Sequence, residues 1–284
     1  MLEPASPPIL KAIPATGQWL PVVGLGTNAF DESLLDPLRE GLRHFASAGA
    51  AMLDTAAVYG ESEQVIGRLV AELGLRERLF IATKITSGGG SGAQGQPGGR
   101  ASLDRSLARL KTDHVDLLYV HNLIGADVLL PAMLEWRQEG RLRYIGVSTS
   151  HDAHHAEICA CMRKHPLDFV QVNYGLGGRA AQQTLLEAAA DRRVAVVANV
   201  PLGGRGGRNL QAVKDRPLPD WAAEIGCSNW AQVMLKYSLS HPAVTCVISG
   251  STRAAHIDDN QRAGRGVLPD AALRRRMEQY WDAL

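Results

Sequence analysis

Leu79-Phe80-Ile81-Ala82-Thr83 is a short β-rich run, residues 101–111 form an amphipathic stretch of helical length, and Val115-Asp116-Leu117-Leu118-Tyr119-Val120-His121 is a second β-rich run. Strand, helix and strand in that order predict two parallel strands joined by a crossover helix. The same unit recurs on both sides of this stretch. Further β-rich runs lie at 22–25, 51–54, 143–147, 169–173, 195–198 and 244–248, and helix-like segments at 31–48, 61–73 and 180–190 each follow a plausible cap or turn. Eight such units predict an α/β fold, a single (β/α)8 TIM barrel, for which roughly 250 residues is the usual length. The 284-residue chain then reads as one domain: a flexible tail at 1–8, a hairpin at 9–22, the barrel at 23–264 and a C-terminal helix at 265–284.

An open, doubly wound sheet would also alternate strand and helix. It should then open with a dinucleotide fingerprint on its first strand-to-helix turn. Gly24-Leu25-Gly26-Thr27-Asn28-Ala29 fits that pattern, but the helix starts only after Asp31 and no acidic residue closes a strand about 20 residues on. The barrel is therefore the better reading. Ahead of it, residues 9–13 and 18–22 flank a Pro14-Ala15-Thr16-Gly17 turn, a β-hairpin placed to cover the barrel bottom. Two long connections, 87–100 and 201–219, would emerge at the C-terminal face, where barrel chemistry sits.

Apolar residues make up 45% of the chain and charged ones 21%, enough apolar side chains for a core and no case for disorder. Thirty Lys and Arg against 29 Asp and Glu leave a net charge of +1, which argues against a nucleic-acid partner. Arg274-Arg275-Arg276 reads as a solvated helix face beside Glu278 and Asp282. No run reaches the roughly 18 apolar residues of a membrane span, and 1–8 lacks signal-peptide character, so the expectation is a cytoplasmic protein without membrane association. Cys159, Cys161, Cys227 and Cys246 lack C-x-x-C spacing and are expected as reduced thiols. His151, His154 and His155 have metal-like spacing without an evident third ligand, and no metal site is assigned.

All eight strand C-termini of a barrel point at one mouth, so its polar strand-end residues are the candidates for chemistry. The second strand ends in Asp54-Thr55-Ala56-Ala57-Val58-Tyr59-Gly60, the third in Ala82-Thr83-Lys84 and the fourth in Tyr119-Val120-His121-Asn122. Asp, Tyr, Lys and His thus share neighbouring strands. Reducing a carbonyl by hydride needs a proton for the developing alkoxide, and a phenol with a pKa of about 10 is a reluctant donor at neutral pH. A nearby ammonium makes a phenol a readier donor, a carboxylate keeps that ammonium charged, and an imidazole orients the carbonyl.

The chain resembles the aldo-keto reductases along nearly its whole length. The likeness rests on Gly24-Leu25-Gly26-Thr27, Asp54 to Gly60, Lys84, His121, Gly146-Val147-Ser148, Gln171, Pro201-Leu202-Gly203, Gly250-Ser251-Thr252-Arg253 and Asp259-Asn260. It implies an NADPH-dependent oxidoreductase acting on a small-molecule aldehyde or ketone, with Tyr59 as general acid, Lys84 tuning it, Asp54 anchoring Lys84 and His121 orienting the carbonyl. It also implies a cofactor site: Gly26 and Thr27; Ser148, Thr149 and Gln171 at the nicotinamide; Leu202 and Gly203 at the pyrophosphate; and Thr252, Arg253, His256, Asp259 and Asn260 at the adenosine end. Arg253 favours NADPH, with NADH the alternative carrier. Relatives of this type are often monomers.

Several positions depart from the family pattern. Thr149 stands where many relatives have Asn, and Asn199-Val200 where many have Tyr-Ser, whose tyrosine stacks on the nicotinamide. Asn28 replaces a bulky aromatic, and Gly250 and His256 depart from the strongest phosphate clamp. Tyr174 reads equally as a replacement stacking ring or a structural aromatic. A second function on the same barrel is an NADPH-binding, redox-sensing auxiliary subunit with little turnover.

Overall fold

The computed structural model describes residues 6–49, 51–87 and 98–284; most of the glycine-rich connection expected at 87–100, and the first part of the N-terminal tail, lie outside the described residues. Two short strands, β1 (Leu10–Ala12) and β2 (Trp19–Pro21), pair antiparallel. The barrel strands follow: β3 (Val23–Gly26), β4 (Met52–Asp54), β5 (Phe80–Ile85), β6 (Val115–His121), β7 (Leu142–Ser148), β8 (Phe169–Asn173), β9 (Ala195–Asn199) and β10 (Val244–Gly250). All pair in parallel, and β10 closes on β3, so the eight form a closed barrel as expected.

The surrounding helices are α1 (Leu35–Ser47), α2 (Ser62–Leu73), α3 (Arg100–Leu110), α4 (Ala126–Gln138), α5 (His155–Lys164), α6 (Leu185–Asp191), α7 (Arg208–Val213), α8 (Trp221–Glu224), α9 (Trp230–Ser240), α10 (Ala254–Arg262) and α11 (Ala271–Asp282). Alternate strand residues face opposite ways, and this divides the apolar side chains into two cores. Leu53, Ile81, Leu118, Val120, Val170 and Val196 pack outward against the helices. Met52, Phe80, Tyr119, Tyr144, Phe169 and Val197 fill the barrel interior.

The hairpin belongs to the interior core, because Ile13 and Leu20 are buried within it and stop the bottom of the barrel. Lys11 fastens the plug from the side, donating to the carbonyls of Leu239 (2.7 Å) and Val244 (2.6 Å). Gln18 adds a second tie, its Oε1 accepting from Tyr144 Oη at 2.8 Å. The chain before the hairpin is tied as well, with Pro8 bridged to Arg265.

Four details differ from the sequence reading. The helix expected at 31–48 begins as a 3-10 turn, Glu32–Leu34, capped by Asp31. Pro37 has no N–H to give the Ser33 carbonyl, so α-helical bonding starts only beyond it. The helix expected at 180–190 is a 3-10 turn, Ala180–Gln183, followed by α6, the two separated at Thr184, whose φ of −146° is not helical; the Gln182 side chain accepts from Tyr174 Oη at 2.9 Å. The connection 201–219 contains α7. Arg274 is buried, unlike its exposed neighbours Arg275 and Arg276. It donates to the Tyr237 carbonyl (2.6 Å) and to Tyr174 Oη (2.7 Å), and its guanidinium lies 4.2 Å from the Tyr237 ring centroid. Stacked on Tyr237 and bonded to the Tyr174 hydroxyl, Arg274 docks α11 on α9, and Tyr174 is a structural aromatic.

Gly146 of β7 admits the ring of Tyr119. A Cβ there would lie 2.4 Å from the Phe169 carbonyl oxygen and 2.9 Å from Tyr119 Cδ1, both inside a closed barrel. Gly146→Ala is expected to lose about 1–3 kcal/mol of stability, as overpacked cores do, measured by urea unfolding.

Candidate active site

Strand parity also decides what faces the mouth. Two residues beyond the interior apolar positions Met52, Ala82, Tyr119, Phe169 and Val197 stand Asp54, Lys84, His121, Gln171 and Asn199. Ser148 joins them, in register with His121 on one side and Gln171 on the other. The barrel therefore changes from apolar to polar within one layer of side chains.

Lys84 is the centre of that layer, with 1% of its side chain exposed. Its ammonium donates to Asp54 Oδ2 at 2.5 Å and to the Thr55 carbonyl at 2.8 Å. Burial opposes the charge, but the carboxylate of Asp54 and the phenol of Tyr59 outweigh it and hold the lysine above its ordinary pKa. The other oxygen of Asp54 accepts from Gln171 Nε2 at 2.7 Å, so both carboxylate oxygens are bonded.

Tyr59 reaches Lys84 because the segment after β4 continues along β5. Thr55 N donates to the Ala82 carbonyl (2.9 Å) and Ala57 N to that of Lys84 (3.1 Å). Two turn bonds then reverse the chain, Tyr59 N to the Ala56 carbonyl and Ser62 N to the Tyr59 carbonyl, both 3.0 Å. Gly60 supplies the φ of +57° that this turn requires. Below it, the Ser62 hydroxyl lies 2.8 Å from Thr27 Oγ1 and 2.9 Å from Thr55 Oγ1. The Lys84 ammonium ends 5.2 Å from the Tyr59 ring centroid.

His121 faces Tyr59 edge-on, with ring centroids 5.9 Å apart. Burial, reinforced by the Lys84 charge, lowers its pKa to about 4, so the imidazole is neutral near pH 7 and keeps one N–H to donate. All four residues expected to carry chemistry thus stand together.

The residues expected at a cofactor lie around the same mouth. Gly26 is in register with Asp54 and with Gly250, and Thr27 Oγ1 donates to the Asp54 carbonyl at 3.0 Å. The Ser148 hydroxyl is buried and has no partner among the described residues. The Thr149 hydroxyl lies 2.9 Å from His154 Nδ1 and accepts from His151 N at 3.2 Å. Leu202 and Gly203 open the turn before α7, where Gly203 has φ +94° and a Cβ would stand 2.3 Å from Asn209 N. Arg253 and His256 are exposed at the start of α10, with Thr252 just before it. Asp259 points elsewhere: its carboxylate accepts from Asn229 (2.7 Å) and Gln232 (2.8 Å) of the α9 cap region, and Asn260 Nδ2 donates to Ser249 Oγ. Among the described residues no cluster of three His, Cys, Asp or Glu side chains is arranged to hold a metal.

Sequence reasoning did not find the Gln171–Asp54 bond, the inward Asn199 or the interior phenol of Tyr119, buried without a hydrogen-bond partner among the described residues. Counting two residues along each strand from an interior position would have put all three inside the barrel.

Barrel and mouth together define a class of enzyme. The model of the aldo/keto reductase family matches residues 22–278, and the chain belongs to that family of oxidoreductases. A methylglyoxal reductase of Escherichia coli (strain K12) is 29% identical over 260 residues, 89% of each chain. An aldo-keto reductase of Mycobacterium avium (strain 104) is 30% identical over 248 residues, 85% of this chain and 79% of its own. An aldo/keto reductase from Klebsiella pneumoniae, solved in complex with NADP and acetate, has the same fold, with a TM-score of 0.78 at 23% identity over 93% of both chains. No helix among the described residues is long and apolar enough to cross a membrane.

The lowered pKa of His121 has a consequence for stability. Unfolded, this histidine takes up a proton near pH 6.5, whereas folded it does so only near 4. Between those values the unfolded chain binds more protons, so stability falls as pH drops from about 6.5 to about 4. Chemical denaturation of the protein and of His121→Gln across this range should show a shallower slope in the variant.

Proposed function

We propose that this chain reduces a small aldehyde or ketone to an alcohol with NADPH as the carrier, Tyr59 delivering the proton. The observation that carries the reading is the Tyr59 phenol standing against a buried ammonium that a carboxylate holds charged, with a neutral imidazole beside it. Bound NADPH supplies the hydride, which no side chain provides.

The protein residues act on the carbonyl oxygen. His121 donates a hydrogen bond to it and orients the substrate, and Tyr59 gives up its phenolic proton as negative charge develops there. Lys84 stabilises the phenolate left behind, and Asp54 keeps the buried Lys84 charged. The proton on Tyr59 is restored from solvent at the mouth.

The residues present suit the carrier. The buried hydroxyl of Ser148, without a partner among the described residues, fits an amide-bearing group, with Thr149 and Gln171 as its neighbours. Leu202 and Gly203 offer backbone at the mouth that lets phosphates approach closely; Gly26 lies at the same rim, and Thr27, buried and bonded to the Asp54 carbonyl, supports it from beneath. Thr252, Arg253 and His256, with Asn260 behind them, would hold the adenosine end, Asp259 instead securing α10 to the α9 cap region, and the Arg253 charge selects the 2′-phosphate of NADPH over NADH. Solved family members hold NADP or NADPH, which supports the same choice. A pure binding module would have no use for the Asp54–Lys84–Tyr59 assembly.

Tyr59→Phe should abolish aldehyde reduction, followed by NADPH absorbance, while NADPH affinity measured by fluorescence titration stays near wild type. Retained turnover in that variant contradicts the assignment of the proton donor.

A further inference from the structure

Asn199 ends β9 inside the barrel, two residues beyond the apolar Val197, with 8% of its surface exposed. Its Nδ2 donates to the backbone carbonyl of Thr149 at 2.8 Å and faces Gln171 Oε1 at 3.4 Å. Gln171, itself buried, carries the connection onward: its Nε2 donates to Asp54 Oδ1, and the other Asp54 oxygen binds Lys84. The 3.4 Å contact is long, and its polarity matters more than its strength. With a donor on one side and a carboxylate on the other, the Gln171 amide has one orientation that suits both neighbours. Reversed, it would set oxygen against carboxylate and N–H against N–H.

We propose that Asn199 is a positioning residue for the proton donor, fixing the sense of the Gln171 amide so that Asp54 always carries a neutral N–H donor beside the Lys84 ammonium. The proposal rests on reading Tyr59 as that donor. Many family members resembled by this chain have a stacking tyrosine at this position, so the role belongs to the asparagine of this chain. The N–H of Gln171 offsets part of the Asp54 charge. Without it, the carboxylate presents a more negative field to Tyr59 and opposes loss of the phenolic proton. The other groups facing the pair are Lys84 on β5, Tyr59 in the turn after β4, Tyr119 and His121 on β6, and Cys246 on β10.

Two variants test this. Asn199→Asp keeps the shape and replaces the donor with an acceptor facing two carbonyl oxygens; Asn199→Ser shortens the side chain so that its hydroxyl no longer reaches Gln171 Oε1, without adding charge. The measurement is kcat for aldehyde reduction against pH at saturating NADPH, accompanied by NADPH affinity from fluorescence and by thermal unfolding. In both variants kcat should fall roughly tenfold and the alkaline limb of its pH profile should move up by about one unit, with NADPH affinity changed far less. In a Gln171→Leu background, Asn199→Ser should produce no further shift of that limb, because the path from Asn199 to Asp54 is already cut. If Asn199→Asp does not fold, Asn199→Ser decides. A folded Asn199→Ser enzyme with the wild-type pH profile overturns the proposal. Full turnover in Tyr59→Phe contradicts the reading of the donor, whereas a dead Tyr59→Phe enzyme together with a wild-type profile in Asn199→Ser contradicts this proposal alone.

Discussion

A lysine with 1% of its side chain exposed needs a counter-charge, and Asp54 supplies it at 2.5 Å. Such a pair is a constraint more than a source of stability. Desolvating two charges costs several kcal/mol each, and removing one partner leaves the other buried and uncompensated at a cost of about 3–5 kcal/mol. The surroundings of the pair are arranged to limit that cost. The Thr55 carbonyl takes one ammonium proton, Gln171 satisfies the second carboxylate oxygen, and the segment carrying Tyr59 closes over the top. What remains is directed at the phenol.

The scaffold makes this arrangement affordable by being rigid beneath it. Ile13 and Leu20 of the hairpin stop the bottom of the barrel, and the aromatic rings of Phe80, Tyr144 and Phe169 pack together above them, with centroids 5.4–6.0 Å apart. Tyr119 lies between that layer and Lys84, its ring centroid 5.9 Å from the ammonium. A solid interior leaves the polar layer only one side open, toward the mouth, where substrate and carrier must come from.

The barrel was legible in the sequence because β-rich runs and helical stretches alternate eight times, and Asp54, Tyr59, Lys84 and His121 were legible because strand ends share one mouth. What could not be read depends on contacts between distant residues. Arg274 looked like part of an exposed basic run, yet Tyr237 and Tyr174, neither its neighbour in sequence, enclose it. The helix expected at 180–190 is interrupted at Thr184, and the turn before it is tied to a distant ring through the bond from Tyr174 to Gln182. Asp259 is joined to Asn229 and Gln232 of the α9 cap region, a pairing set by how α9 and α10 lie together.

Lys84 is charged inside the barrel because Asp54 is charged beside it. Nitrogen-detected NMR titration of the lysine side chains tests it most directly. Lys84 should keep an ammonium signal beyond pH 10.5, the ordinary lysine value, and in Asp54→Asn burial alone should drive its titration well below that value. A neutral Lys84 amine at pH 8 in the unmodified protein, or a titration unchanged by Asp54→Asn, would mean that the carboxylate does not hold the ammonium charged.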